Sequence, residues 1–259
     1  MNTVLLDKHD GYAVVTLNRP DAMNALSREL RADFVEAFVH CQADENIRVI
    51  VLTGNGPAFC AGFDLKELGS GQTENTAEEV NNVVAEAMAA FEGPIIGAIN
   101  GHCITGGFEM ALACDVLIAS EEARFADTHA RVGMLPGWGL SQKLPRLVGL
   151  SRAREIAFTG APINARQAYD WGLVNHVLPA AELLPRARKM AEDMCACVPE
   201  VLARYRHMID AGYSMHLDAA LAWEEQQAID WAKLATGAAI EERRQGVMKK
   251  GRSEKEERQ

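Results

Sequence analysis

The six cysteines (Cys41, Cys60, Cys103, Cys114, Cys195 and Cys197) include no CxxC and no paired zinc spacing, which argues against a structural zinc site. The one close pair, the CxC of Cys195 and Cys197, reads as helix packing. No apolar run approaches the roughly 18 residues needed to cross a bilayer. The N-terminus is polar and lacks a signal-peptide core, so a reducing cytoplasm and no membrane partner are expected. There is no GxxxxGK[ST], and no GxGxxG opens a helix after the first strand, which disfavours nucleotide hydrolysis and NAD chemistry. There is no GxSxG nucleophile elbow either, so an ordinary serine hydrolase has little support.

Positive charge is also scarce. Lys and Arg number 26 against 36 Asp and Glu, a formal net charge of −10. That balance argues against nucleic acid as the main partner. An anionic ligand would need basic residues gathered locally, and Arg243, Arg244, Lys249, Lys250 and Arg252 gather near the C-terminus. They form either a solvated tail or a phosphate contact.

With 259 residues, 48% hydrophobic and 24% charged, the chain can bury a large core without staples. It is one large domain, or a core of roughly 200 residues with an appendage. Residues 12–17, 48–52, 94–99 and 115–119 read as strands. Ser27 reads as the N-cap of a helix carrying Leu30, Phe34, Ala37, Phe38 and Cys41 at helical spacing. A second helix is expected over 74–91, with Val80, Val83, Val84, Ala87 and Met88 on one face, and a short one over 106–113. Strand and helix alternate, so the core is α/β, and periodicity alone leaves a doubly wound sheet as the default. After residue 151 the pattern is helical almost throughout. Asn164 and Gln167 suggest a capping box, Gly172 a helix end, and Pro199 a break between helices. Large apolar residues from 200 to 248 call for cover by the core or by a second subunit.

Two loops carry the candidate chemistry: residues 58–66, and residues 100–109, which contain Gly106-Gly107-Phe108-Glu109. Small residues let main-chain N–H groups approach a ligand, and the first N–H groups of a helix lack internal partners and favour negative charge. Gly106 and Gly107 therefore suit an oxyanion site, although close packing explains most such glycines.

Taken in order, the segments Leu17-Asn18-Arg19-Pro20, Asn24-Ala25-Leu26, Phe59-Cys60-Ala61-Gly62-Phe63-Asp64-Leu65, Ile99-Asn100-Gly101, Gly106-Gly107-Phe108-Glu109, Gly133-Met134-Leu135-Pro136-Gly137 and Ala168-Tyr169-Asp170-Trp171-Gly172-Leu173-Val174 resemble the crotonase family of enoyl-CoA hydratases and isomerases. The resemblance runs from about Val14 to His176. It implies a spiral of repeated ββα units over residues 1–195. It also implies a C-terminal helical region over 196–259 used in a homotrimer or a dimer of trimers. The ligand implied is an acyl-CoA thioester, with CoA as part of the substrate and no separate cofactor or metal. The oxyanion hole falls on the N–H groups of Phe63 and Gly106, and the CoA contacts on Ala22, Met23, Ala61, Asp64 and Leu65. Many relatives have Lys where this chain has Asp21, so phosphate binding must lean on Arg19 or the C-terminal cluster.

The family's two catalytic glutamates map onto Glu109 and His129. Only the first is a carboxylate. An imidazole can donate or accept a proton, and Asp127 could orient it, or replace the missing carboxylate if this stretch is extended. A protonated His129 would depress the pKa of Glu109. Gly137 can present its N–H to water, and Trp138 stands where relatives often have a small residue. The expected function is an enoyl-CoA hydratase-type lyase. Another acyl-CoA reaction, such as double-bond isomerisation or thioester hydrolysis, and a non-catalytic acyl-CoA binder are the alternatives that His129 raises.

Overall fold

A computed structural model describes residues 2–69 and 82–234, with 236, 237, 240, 241, 243, 244 and 248. The chain divides into two compact units, Met1–Ala203 and Arg204–Gln259.

In the first unit, β1 (Val4–Lys8) and β2 (Tyr12–Leu17) form an antiparallel pair followed by α1 (Arg28–Ala43). The pattern then repeats three times: two strands, then a helix. β3 (Val49–Gly54) and β4 (Ala58–Cys60) lead to α2 (Leu65–Leu68), and α3 (Val83–Ala90) follows. β5 (Ile95–Ile99) and β6 (His102–Ile104) lead to α4 (Gly106–Leu112). β7 (Val116–Ser120) and β8 (Arg124–Ala126) lead to α5 (His129–Val132). Helices α6 (Leu140–Val148) and α7 (Leu150–Thr159), strand β9 (Ile163–Asn164), helix α8 (Ala165–Asp170), strand β10 (His176–Leu178) and helix α9 (Ala180–Cys195) complete the unit, and α10 (Pro199–Tyr213) begins in it.

The first strands of the repeats stack in a six-stranded sheet ordered β1-β2-β3-β5-β7-β10. The second strands stack in a smaller sheet ordered β4-β6-β8-β9. β3, β5 and β7 pair in parallel, as do β4, β6 and β8. Each repeat therefore advances both sheets by one strand, which makes a spiral of ββα units rather than a doubly wound sheet.

Alternation along the strands explains what covers the large sheet. Tyr12, Val14, Val49, Val51, Ile96, Ala98 and Ile118 pack with Leu183, Ala187 and Ala191, spaced four apart on α9. The intervening residues, among them Ala13, Val15, Ile50, Leu52, Ile95 and Ile99, face the main core with α1 and α3. Ser27 caps α1 by accepting the Leu30 N–H at 3.1 Å, a contact of about 1 kcal/mol. The α1 side chains sit as their spacing predicts, with Phe34 and Phe38 stacked at 4.5 Å and Phe91 edge-on to Phe38 at 6.4 Å. Of the helix expected over 74–91, α3 is the described part, with Val84 and Met88 buried; residues 74–81 lie outside the described residues.

Asn164 and Gln167 form a reciprocal capping box on α8, and Gly172 follows its end at φ +80°. Cys195 packs against the core as read from sequence and donates to the Gly11 carbonyl, whereas Cys197 is exposed and donates only to the Asp193 carbonyl four residues back. In the second unit, the rest of α10 and α11 (Leu217–Leu234) are joined by His207 edge-on to Trp223 at 5.8 Å and by Arg204 over the Trp231 ring at 5.1 Å. Tyr205, Ile209, Tyr213, Leu217, Leu221 and Leu234 remain exposed. No helix among the described residues is long and apolar enough to cross a membrane.

Candidate active site

The site lies where three successive turns of the spiral leave the small sheet at the same edge. The chain after β4 carries Phe63, the chain after β6 carries Gly106, and the chain after β8 carries Asp127 and His129. Ligands of α/β sheets gather at such carboxyl ends of parallel strands.

Phe63 forms an isolated parallel bridge with Leu26. That bridge uses the Leu26 N–H to the Gly62 carbonyl (2.8 Å) and the Asp64 N–H to the Leu26 carbonyl (3.4 Å). Alternation along an extended segment then turns the N–H of Phe63 to the opposite side. The N–H of Gly106 is the first of α4 and has no intrahelical partner. The two loops touch: a Cβ on Gly62, whose φ is +85°, would lie 3.1 Å from the Gly106 nitrogen. Glycine at 62 thus supplies both the turn and the approach. Gly107 is required differently, because a Cβ there would stand 2.1 Å from the Cys60 carbonyl oxygen.

Thr105 precedes Gly106 at φ +52°, ψ −109°, an outlier for a β-branched residue. Such strain costs on the order of 1–3 kcal/mol and persists only when surrounding contacts fix it. Here the Thr105 N–H donates to the Ala126 carbonyl, and its hydroxyl pairs with that of Thr128 at 2.5 Å while accepting the Thr128 N–H at 3.1 Å. These bonds tie the second and third loops together. Neither threonine stands out in the sequence.

Glu109 lies one helical turn beyond Gly106 on α4, all of whose residues are buried. Its Oε1 accepts the Trp138 N–H at 2.7 Å and the Leu140 N–H at 3.4 Å, and its Oε2 lies 3.7 Å from Nε2 of His129. Burial raises the pKa of Glu109 above the ordinary carboxylate value, and outweighs the opposing pull of the Trp138 N–H and of His129. The depression expected from a charged histidine does not prevail.

His129 opens α5 rather than continuing a strand, so Asp127 does not share its face by extended alternation. The two meet instead through a tight turn. Asp127 Oδ1 accepts both the His129 main-chain N–H at 3.1 Å and ring Nδ1 at 2.7 Å, with both residues buried. Asp127 is thus bonded to the imidazole and is not among the residues that line the cleft.

The cleft, about 480 Å³ counting its open mouth, is lined by Ala61, Phe63, Leu65, Gly137 and Trp138 with Thr105, Glu109, Thr128 and His129. Trp138 is only 7% exposed. Its indole leans on Phe63 at 5.2 Å, so it forms part of the wall. Nothing lies within 4 Å of a Cβ placed on Gly137, which faces open space.

Ala22 and Met23 run beside Ala61, whose N–H donates to the Met23 carbonyl at 3.0 Å. Met23 and Asn24 are both left-handed, held by Asn24, whose side chain donates to the Ala58 carbonyl at 2.7 Å and accepts the Arg19 N–H at 2.8 Å. Asp64 and Leu65 open α2, with the Asp64 carboxylate capping the Lys66 N–H. Arg19 is engaged internally: it pairs with Asp64 at 3.2 Å and donates to the Ala25 carbonyl at 2.6 Å. Of the C-terminal basic cluster, Arg244 pairs with Glu241 at 2.7 Å, while Lys249, Lys250 and Arg252 lie outside the described residues.

The segments carrying Phe63 and Gly106 thus meet beside a buried carboxylate. The family model described as enoyl-CoA hydratase/isomerase matches residues 7–249. The chain belongs to that family and is an enzyme of the acyl-CoA hydratase/isomerase kind. It is 42% identical over 218 residues to a probable peroxisomal enoyl-CoA hydratase of Arabidopsis thaliana, covering 84% of this chain and 82% of that one. It is 35% identical over 232 residues to a short-chain-enoyl-CoA hydratase of Clostridium acetobutylicum, covering 87% and 88%. The crystal structure of an enoyl-CoA hydratase from Bacillus anthracis superposes with a TM-score of 0.81 at 34% identity, covering 86% of this chain and 88% of that one.

Proposed function

We propose that the enzyme adds water across the double bond of a 2-trans-enoyl-CoA. The observation that carries this reading is the buried Glu109 carboxylate, anchored through one oxygen and presenting the other 3.7 Å from His129 in the cleft. The thioester oxygen sits between the N–H groups of Phe63 and Gly106. Glu109 takes a proton from water as its oxygen bonds to Cβ, and the displaced electrons move through Cα to the thioester oxygen. Each preorganised donor to such an oxyanion is worth about 3–4 kcal/mol. His129 then delivers a proton to Cα, leaving a 3-hydroxyacyl-CoA. Protons and electrons balance between substrate and water, so no cofactor or metal is called for beyond the CoA of the substrate.

CoA lies against the backbone of Ala22, Met23, Ala61, Asp64 and Leu65, and the Gly137 N–H faces the attacking water. The exposed apolar residues of α10 and α11 suit a trimer or a dimer of trimers, and six unpaired thiols suit a reducing cytoplasm.

The Asp127–His129 pair favours one second reading, in which the oriented imidazole serves thioester hydrolysis or double-bond isomerisation instead. A panel of acyl-CoA thioesters with mass analysis of products separates the outcomes. Gain of one water by an enoyl-CoA supports hydration; release of free acid or an unchanged mass with a moved double bond replaces it.

A further inference from the structure

We infer that Asp127 is a positioning residue that fixes His129 as the Nδ1–H tautomer, so that Nε2 faces Glu109 and the two side chains exchange the reaction's proton between themselves. The inference rests on the hydratase reading for its catalytic consequence, but not for its structural part.

A carboxylate oxygen only accepts hydrogen bonds. Asp127 Oδ1 lies 2.7 Å from ring Nδ1, so that nitrogen carries the hydrogen. The same oxygen also accepts the main-chain N–H of His129 at 3.1 Å, which locks the carboxylate against its own turn. The turn is fixed in its middle as well, since the Thr128 N–H is held by the Thr105 hydroxyl. Asp127 and His129 are 3% and 7% exposed, so water competes little for these bonds. With Nδ1 committed, Nε2 is the nitrogen left for chemistry, and it points at Glu109 Oε2 across 3.7 Å.

That spacing closes a proton cycle. An O–H bond of water breaks, its oxygen bonds to Cβ, and the proton goes to Glu109 Oε2. The Nε2–H bond of the imidazolium breaks and its proton bonds to Cα, leaving neutral His129 beside protonated Glu109. The proton on Oε2 then passes to Nε2 through one water, since 3.7 Å is beyond direct hydrogen-bond reach, and restores the carboxylate and the imidazolium. Asp127 keeps its charge throughout, as an orienting carboxylate does in related dyads. A carboxylate at position 129 would receive no such orientation from Asp127, because the two would repel.

The test is a long-range proton–nitrogen correlation spectrum of the full chain labelled with ¹⁵N-histidine, at a pH high enough to leave the ring neutral. His129 is assigned by the signal lost in His129→Gln. The expected pattern is a protonated Nδ1 and a basic Nε2. Asp127→Ala should shift the ring towards the Nε2–H form and lower kcat about 10- to 100-fold, with KM within about twofold of the parent. Asp127→Asn should keep the Nδ1–H pattern, because its amide oxygen still meets both donors. An Nε2–H ring in the parent overturns the inference whatever reaction is catalysed. So does an Asp127→Ala protein with unchanged tautomer and kcat. If Asp127→Ala does not fold, the parent and Asp127→Asn spectra still decide the tautomer. Absence of hydration with the expected spectra would instead refute the hydratase reading alone.

Discussion

Glu109→Gln should separate activity from stability in opposite directions. The substitution conserves shape, and the amide oxygen can keep both the Trp138 N–H at 2.7 Å and the Leu140 N–H at 3.4 Å. What it removes is the base. General-base catalysis contributes about 10²- to 10⁴-fold, so kcat should fall by that factor, about 3–5 kcal/mol of barrier. KM should move little, because the proposed CoA contacts lie on other segments. Stability has its own sign. Burial raises the pKa of Glu109 above its ordinary value of 4.5. Below the unfolded-chain value the group is protonated in both states and nothing is lost. As pH rises through the window up to the raised folded value, the unfolded chain releases its proton first, and the fold loses stability. Glutamine has no proton to release, so the variant should gain on the parent between pH 4 and pH 7. Loss of enoyl absorbance gives kcat, and thermal melts at the two pH values give the stability difference. A variant within about fivefold of parental kcat, or one whose advantage shrinks as pH rises, would refute the reasoning.

Adjacent glycines should behave differently. Gly106→Ala meets only ordinary contacts of 3.4–3.6 Å and keeps its N–H, so the protein should fold and retain kcat within about tenfold. Gly107→Ala drives a Cβ to 2.1 Å from the Cys60 carbonyl oxygen and should abolish the native circular dichroism melt. Trp138→Ala removes a buried indole leaning on Phe63, and should cost about 3–5 kcal/mol in denaturant unfolding. Because the main-chain N–H to Glu109 remains, the variant should still turn over. Its kcat/KM for long-chain relative to four-carbon substrates should rise about tenfold; an unchanged ratio would exclude the indole as a wall of the acyl site. Thr128→Val keeps the shape but removes the hydroxyl partner of Thr105, and should lower stability by about 1 kcal/mol with a reduced kcat.

Much of the first unit was legible because its strands are buried on both sides and its helices amphipathic. Residues 12–17 form β2 as expected, and the strands read at 48–52, 94–99 and 115–119 appear shifted by only one or two residues. The caps at Ser27 and Asn164 declare themselves by residue type. The second sheet was not legible. β4, β6 and β8 are three residues each, too short for any periodicity; β4 and β6 read as parts of the glycine loops, and β8 does not read as a strand at all. Without them alternation suggests a doubly wound sheet, and only the resemblance supplied the spiral. In the site, the positions of Glu109 and His129 came from the ordered motifs, but the contact of Asp127 with His129 depends on a turn that the sequence does not announce. The strain at Thr105 was equally silent, since a threonine at positive φ contradicts its own preference.

The anchoring of Glu109 through the amides of residues 138 and 140 separates what the enzyme does from what it accepts. The two donors proposed for the oxyanion, at 63 and 106, are main-chain amides as well. Substitution at 63 or 138 can therefore reshape the wall that meets the acyl chain while leaving these donors in place. A lineage built this way can explore new substrates by drift in two aromatic positions, and its reaction chemistry need not be rebuilt each time.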